Sequence, residues 1–233
     1  MTVAVRAVLV GSVAPLGRHR VPSGIAKRPA AGPVDVRRDG LAGDAQGDRR
    51  HHGGPEKALH HYPFDHYAHW RREAPDPGGL LDAAGAFGEN VSTEGATEAE
   101  VCVGDLYRLG TALVQVSQAR QPCWRLNERF GDPRMARRVQ DTGRTGWYYR
   151  VVEEGRVAAG DAVRLVDRPA AGWTLARIAR VLYRDTLDAE SLAALAALPE
   201  LSDSWRTLAR RRLERGRVED WSDRLTTPKE ASP

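Results

Sequence analysis

The chain lacks several features that define large classes of protein. It has only two cysteines, Cys102 and Cys123, in 233 residues, too few for a disulfide framework and without the paired spacing of a zinc motif. No apolar run approaches the roughly 18 residues needed to span a bilayer, and the N-terminus lacks the pattern of a secretory leader. We therefore expect a protein of a reducing, cytoplasmic compartment with no membrane partner.

Lysine is scarce as well. Lys27, Lys57 and Lys229 are the only lysines, although the formal net charge is +4. A basic chain can indicate a nucleic-acid partner. Here the excess is nearly all arginine, a skew typical of coding bias, and the run at 210–212 is interpreted as the solvated face of a helix. Nucleic acid is therefore not favoured as a partner.

A dense polar stretch over residues 43–58 stands out against this background. It contains Arg49, His52, Gly53, Gly54 and Lys57. Glycines let backbone N–H groups approach a ligand, and basic side chains supply charge-assisted hydrogen-bond donors. The stretch predicts an anion pocket, and the alternative is a solvated surface loop.

The remaining pattern is mainly β. Short runs rich in β-branched residues predict strands over 3–10, 34–36, 101–109, 112–117, 147–153 and 162–166. Helical periodicity after a Pro/Gly break predicts three short helices before a polar end. We expect a barrel or sandwich in 1–168, a three-helix module in 169–217 and a polar, frayed tail in 218–233.

Cys123 is the strongest single candidate for chemistry. It follows Pro122 at the predicted start of a helix, with Arg120 and Arg125 nearby in sequence. Such surroundings favour a thiolate, which is a nucleophile or a soft metal ligand. Cys102 lies inside an apolar run and is interpreted as a small buried hydrophobe.

Six of the seven histidines fall within residues 51–69. Their spacing does not match a zinc protease, so a histidine-bound metal is not favoured. We retain His52, directly before the glycine pair, as a site residue. The other five, His51, His60, His61, His66 and His69, are predicted to be surface or second-layer residues.

Four segments in order carry a family resemblance. They are the stretch at 43–58, Phe87-Gly88-Glu89-Asn90, Gln118-Ala119-Arg120-Gln121-Pro122-Cys123, and the run from Thr142 to Val151. In this order and spacing they resemble the MOSC domain, and more narrowly its YiiM-type bacterial branch. The resemblance runs from about residue 5 to 168, with a weaker match to that branch's helical tail.

The resemblance implies a fold and a cofactor. The fold would be a MOSC-type, pyruvate kinase insert-like β-barrel with short helices and a C-terminal three-helix tail. The cofactor would be a molybdenum cofactor of the molybdopterin type, with Cys123 binding or sulfurating the metal. Residues expected to hold the pterin and its phosphate are Arg49, His52, Gly53, Gly54, Lys57, Asn90 and Arg120.

The implied reaction is reduction of N-hydroxylated small molecules such as hydroxylaminopurines. No flavin, nicotinamide or iron–sulfur motif is visible, so electrons are expected from a partner protein, such as a flavin reductase. A homodimer is left open. Three alternatives remain: a persulfide carrier acting through Cys123, a pyridoxal phosphate protein with Lys57 as Schiff base, and a non-enzymatic cofactor carrier.

Overall fold

A computed structural model describes residues 1–47 and 53–228 of the chain. Its main feature is a closed barrel of seven strands. In chain order these are β1 (Thr2–Val10), β7 (Leu59–Pro63), β8 (Val91–Thr93), β9 (Leu106–Leu109), β10 (Ala112–Ala119), β11 (Trp147–Glu153) and β13 (Ala162–Asp167). Around the barrel the order is β13, β9, β10, β11, β7, β8 and β1, and β1 pairs with β13 to close the ring.

The remaining strands and the helices lie outside this barrel. The additional strands are β2 (Ala14–Leu16), β3 (Val21–Ser23), β4 (Arg28–Pro29), β5 (Val34–Arg37), β6 (Gly40–Leu41) and β12 (Gly155–Val157). The α-helices are α1 (Tyr67–Glu73), α2 (Arg125–Phe130), α3 (Met135–Thr142), α4 (Leu175–Tyr183), α5 (Ala189–Ala197), α6 (Asp203–Arg215) and α7 (Ser222–Leu225). Short 3₁₀ turns cover Pro55–Lys57 and Phe64–His66. The predicted mainly-β barrel with a C-terminal helical segment is confirmed.

Alternation along the strands builds the barrel interior. In β10, Ala112, Val114 and Val116 are fully buried, whereas Leu113 and Gln115 between them are partly exposed. Period-two alternation of this kind places one face of a strand on a core. The pairing of β7 with β8 is parallel and brings Asn90 beside His60, where Asn90 N donates to His60 O at 2.7 Å.

One predicted strand begins later than expected. The pattern over 101–109 predicted a continuous strand, but β9 starts only at Leu106. Gly104 has a φ of 82°, and the Asp105 carboxylate accepts a hydrogen bond from Cys102 N at 3.0 Å. These residues form a turn before the strand, and aspartate favours such turns because its carboxylate accepts hydrogen bonds from nearby backbone N–H groups.

The helical tail packs on the barrel through one continuous apolar core. Ile178 and Leu182 of α4 and Trp205 of α6 belong to the same buried cluster as Val114 and Val116. The helices after residue 174 therefore stabilise the barrel as well as one another. The boundaries proposed from the sequence, 1–168, 169–217 and 218–233, stay a prediction.

A second apolar cluster lies under the inserted helices and reaches the C-terminal segment. It contains Trp70, Phe87, Phe130 and, from α7, Leu225, which is 5% exposed. A frayed polar tail was expected from residue 218 onward. The structure instead folds the described part of this segment against the inserted helices, because the buried Leu225 anchors it where the surrounding sequence is polar.

Candidate active site

A pocket opens at one end of the barrel, between loops that are distant in sequence. Segments around 23–27 and 44–47 form one wall, and His60, Asn90, Arg120 and Tyr148 form another. Strand register explains the second wall, because β11 pairs with β7 so that Tyr148 lies opposite His60. Their rings approach to 5.2 Å between centroids.

The pocket brings together four of the residues predicted from the sequence. Lys57, Asn90, Arg120 and Cys123 all line it. Arg49 and His52, predicted to bind the cofactor, lie outside the described residues. The polar stretch at 43–58 thus reaches the pocket through its flanks, since Asp44 to Gly47 and Lys57 contribute to the lining.

Gly54 of the glycine pair has a backbone role that the sequence did not indicate. Neither Gly53 nor Gly54 is among the described residues that line the pocket. Gly54 has a φ of 94° and precedes the 3₁₀ turn that carries Lys57. Only glycine adopts this backbone conformation without strain, so Gly54 sets the direction of the turn. A direct contact of the pair with a cofactor stays a prediction.

Arg120 places an unsatisfied hydrogen-bond donor in the pocket. It follows the end of β10, and its backbone N donates to Gly146 O at 3.0 Å. Its side chain is buried, with the residue 5% exposed, and Nη1 has no hydrogen-bond partner. No carboxylate among the described residues lies within 4.0 Å of its guanidinium. The guanidinium donates a hydrogen bond to the Tyr148 side chain. Among the described residues it has no counter-charge, and a buried charge in such surroundings favours a site for an anion.

Cys123 lies beside Arg120 in the lining and is 7% exposed. The loop that carries it precedes α2, and its carbonyl accepts from Leu126 N at 2.9 Å. Cys102 lies away from the pocket, where Sγ donates to Ala171 O at 3.5 Å and burial raises the pKa of the thiol. The two cysteines therefore occupy different environments, although the chemical role of Cys123 stays a prediction.

Asn90 lines the pocket, but its side-chain amide atoms form hydrogen bonds within the protein. Its Oδ1 accepts from His60 N at 3.0 Å, and its Nδ2 donates to Leu9 O at 3.2 Å and to Asp44 Oδ2 at 2.9 Å. The side chain thus ties β7, β1 and the loop at 44 together. Its neighbour Glu89 is fully buried and closes a turn, accepting from Gly85 N at 2.7 Å.

Sequence reasoning missed an ion pair at this site. Lys27 Nζ donates to Asp44 Oδ1, and both side chains are nearly buried. Burial lowers the pKa of Lys27, while the Asp44 charge opposes that shift. Asp44 also accepts from Gly11 N at 3.0 Å. The two residues are 17 positions apart, and no local pattern pointed to their pairing.

The wall formed by the two loops also depends on one close approach. A Cβ on Gly47 would lie 2.3 Å from Pro22 O. Only glycine permits this contact, so the loop at 44–47 can press against the segment that leads to Lys27. A glycine in the polar stretch was visible in the sequence, but its partner loop was not.

His60 corrects the expectation for the histidines. It was predicted to be a surface or second-layer residue, yet it is 5% exposed and lines the pocket. Burial, and secondarily the charge of Arg120, holds its pKa well below the usual value, so the imidazole is neutral. The strand Leu59–Pro63, which carries His60, was not predicted from the sequence because its two adjacent histidines interrupt the apolar pattern of a strand. His61 is also buried, and burial lowers its pKa to about 3.

The charge balance of the described lining suits an anionic ligand. Four basic side chains, Lys27, Lys57, Arg120 and Arg125, face a single carboxylate, Asp44. In the described ranges, no group of three or more His, Cys, Asp or Glu side chains could hold a metal ion. A metal here would need ligands from a cofactor in addition to Cys123. No helix in these ranges is long and apolar enough to cross a membrane.

Comparison with known proteins identifies the family. The MOSC domain model matches residues 48–164, and the model described as "YiiM-like, 3-alpha helix domain" matches 173–216. The chain belongs to the MOSC domain family. The resemblance predicted from the four sequence segments is thereby confirmed, and the helical segment is the one that accompanies YiiM-like MOSC domains.

Individual relatives cover most of this MOSC chain. Protein YiiM of Escherichia coli (strain K12) is 43% identical over 88% of this chain and 90% of its own length. The crystal structure of Escherichia coli YiiM superposes with a TM-score of 0.81 and 35% identity, covering 97% of this chain and 100% of that one. A Gibberella moniliformis protein named "Reductase" is 39% identical over 83% of this chain, which spans only 34% of that longer protein.

Proposed function

We propose that this MOSC protein binds a molybdenum cofactor and uses it to reduce N-hydroxylated small molecules. The observation that carries the proposal is the buried, unpartnered Nη1 of Arg120 in the pocket that Cys123 also lines. The family, which is associated with molybdenum cofactor binding, and the relative named "Reductase" support the same reading.

The residues of the pocket fit such a cofactor in two respects. The phosphate of a pterin cofactor is anionic, and Lys57, Arg120 and Arg125 would neutralise it, with arginine offering paired donors to phosphate oxygens. Molybdenum held by sulfur is a soft centre, for which the Cys123 thiolate is a suitable ligand. When bound, the cofactor would supply two-electron transfer to an oxygen atom.

The remaining lining residues would shape the space for substrate. Tyr148 and His60 present aromatic faces beside Arg120, and burial raises the pKa of Tyr148 so that its hydroxyl stays protonated. A neutral imidazole and a neutral phenol suit an uncharged, planar substrate such as a hydroxylated base. Reduction of an N-hydroxy group to an amine consumes two electrons and two protons and releases water, and we propose that a flavin reductase supplies the electrons.

A pair of matched variants tests the proposal. Protein is prepared from a molybdenum-replete host and assayed for bound molybdenum, pterin fluorescence and N-hydroxy reduction. Cys123→Ser should lower molybdenum content and activity by at least about a hundredfold, since even partners of metal ligands contribute ten- to hundredfold. Cys102→Ala should leave both largely intact, because Cys102 lies away from the pocket.

The alternatives give different outcomes in the same preparations. A persulfide carrier would release labile sulfur from Cys123 and contain no molybdenum. A pyridoxal phosphate protein would show a visible absorption band that Lys57→Gln abolishes. Equal losses of activity in the Cys123 and Cys102 variants would contradict the assignment of Cys123.

A further inference from the structure

The segment that follows the three tail helices contacts the loop that carries Cys123. We define residues 221–227, which include α7, as the C-terminal clasp. It lies beyond both family matches, which end at residues 164 and 216. From its contacts we infer that the clasp, and Arg224 in particular, is a positioning element that fixes the Cys123 loop. The inference rests on the proposed function only in treating Cys123 as a site residue.

Arg224 binds both sequence neighbours of Cys123. Its carbonyl O accepts from Trp124 N at 2.7 Å, and its guanidinium Nη1 donates to Pro122 O at 2.5 Å. The backbone on each side of the cysteine is therefore held by one residue, which lies about a hundred positions later in the chain. Such a bracket restricts where the Cys123 side chain can point.

The same guanidinium connects the loop to a rigid helix. Nη2 of Arg224 donates to Gln140 Oε1 at 2.6 Å, and Gln140 of α3 is 2% exposed. The planar fork of arginine binds two acceptors at a fixed angle. Arg224 thus links the Cys123 loop to a buried side chain of α3, which fixes the position of the loop.

Two further contacts anchor the clasp. Leu225 is 5% exposed and packs in the apolar cluster that contains Leu126 and Phe130 of α2. Its carbonyl O accepts from Asn127 Nδ2 at 2.9 Å. Because α2 follows Cys123 directly, these contacts fix the far side of the same loop.

The clasp also joins the Cys123 loop to the helical tail. Trp221 Nε1 donates to Glu219 Oε1 at 2.8 Å, and its ring lies 5.7 Å from that of Tyr183 in α4. The tail thus contacts the Cys123 loop through the clasp. The positioning role inferred here therefore connects the tail helices to the pocket.

Alkylation of the two thiols tests the inference in the full-length chain. Iodoacetamide labelling is followed at one pH for each cysteine by peptide mass spectrometry, in wild type, Arg224→Ala and Arg224→Lys. Arg210→Ala, an exposed arginine of α6, is the matched control. Cys102, 1% exposed, is an internal reporter of global opening. The readout is the ratio of the Cys123 rate to the Cys102 rate.

Arg224→Ala should raise this ratio at least tenfold, Arg224→Lys should give an intermediate value because it keeps the charge but not the fork, and Arg210→Ala should match wild type. A ratio in Arg224→Ala within twofold of wild type overturns the inference. This holds if neither thiol reacts faster than in wild type, and also if both rates rise together. All variants are labelled after growth without molybdenum, because a metal bound by Cys123 would block its alkylation. A raised ratio together with no molybdenum in protein from a molybdenum-replete host leaves the inference standing and refutes the proposed function. An unchanged ratio together with normal molybdenum loading of wild type does the reverse.

Discussion

Two buried arginines, one in the pocket and one in the helical tail, stand in opposite surroundings. Arg212 of α6 is 1% exposed and forms a two-point contact with Glu219, at 2.9 and 2.6 Å. Its Nη1 donates to Leu182 O at 2.9 Å. Arg120 is 5% exposed, its Nη1 has no partner, and no described carboxylate lies within salt-bridge distance.

The difference separates a structural arginine from a binding one. Breaking a buried pair is strongly destabilising, whereas removing a buried charge that has no counter-charge relieves a desolvation cost. A buried charge without a counter-charge lowers the stability of the folded protein, and such a residue is typical of a site where a ligand supplies the opposite charge. The two arginines should therefore respond to the same substitution with opposite signs.

The largest stability effect is expected in the tail. Arg212→Met should lower the free energy of unfolding by about 3 kcal/mol, because Glu219 and the Leu182 carbonyl lose their donors. For a chain of this size the melting midpoint should fall by about 6–12 °C. Arg211→Met, at an exposed neighbour, should change the free energy by less than about 0.5 kcal/mol. Equal stability of the two variants in urea titrations would show that the ion pair is not structural.

In the pocket the same substitution should leave the fold intact. Arg120→Met should keep or raise the free energy of unfolding, by up to about 1 kcal/mol, because no carboxylate among the described residues pairs with the buried charge that it removes. Pterin occupancy should fall about tenfold, the effect of losing one charge-assisted hydrogen bond to an anion. Extracted-pterin fluorescence and melting curves measure the two quantities. A loss of stability as large as that of Arg212→Met would make Arg120 a structural residue.

A third difference between the two regions is the pH range over which each loses stability. Burial holds the pKa of His60 well below 6.5. The unfolded chain therefore binds a proton as pH falls through about 6.5 while the folded chain does not, and stability declines by at most about 1.4 kcal/mol per pH unit. His60→Gln should reduce this slope between pH 6 and 5.

Glu219 in the tail is the control for the pH dependence of His60. Partial burial raises its pKa, but hydrogen bonds from Arg212 and Trp221 outweigh burial and hold the pKa below 4.5. Its stabilisation is present above the unfolded pKa and is lost as pH falls through the lowered folded value. Glu219→Gln should therefore leave the slope between pH 6 and 5 unchanged. If urea unfolding shows the same slope change in both variants, the assignment of His60 to that window is wrong.

The family, the barrel and several residues that line the pocket could be predicted from the sequence. Strand propensity placed β10 and β11 almost to the residue, and Cys123, Arg120 and Lys57 were named from local chemistry. The strand predictions succeeded because alternation is a local property, which remains visible in a single sequence. The three named residues line the pocket, and their chemical roles stay predictions. The same local reasoning separated Cys102, within an apolar run, from Cys123 beside arginines.

The interaction partners of the buried charged side chains could not be predicted, because they come from distant segments of the chain. Lys27 meets Asp44, Arg224 brackets Cys123, and Arg212, read from the sequence as part of a solvated face, is buried against Glu219. His60 lay in a polar run and emerged in the pocket only because β7 pairs with β11. Partnership between distant segments depends on strand register and loop packing. A local pattern does not encode which of many polar side chains will face one another after the chain has closed on its core.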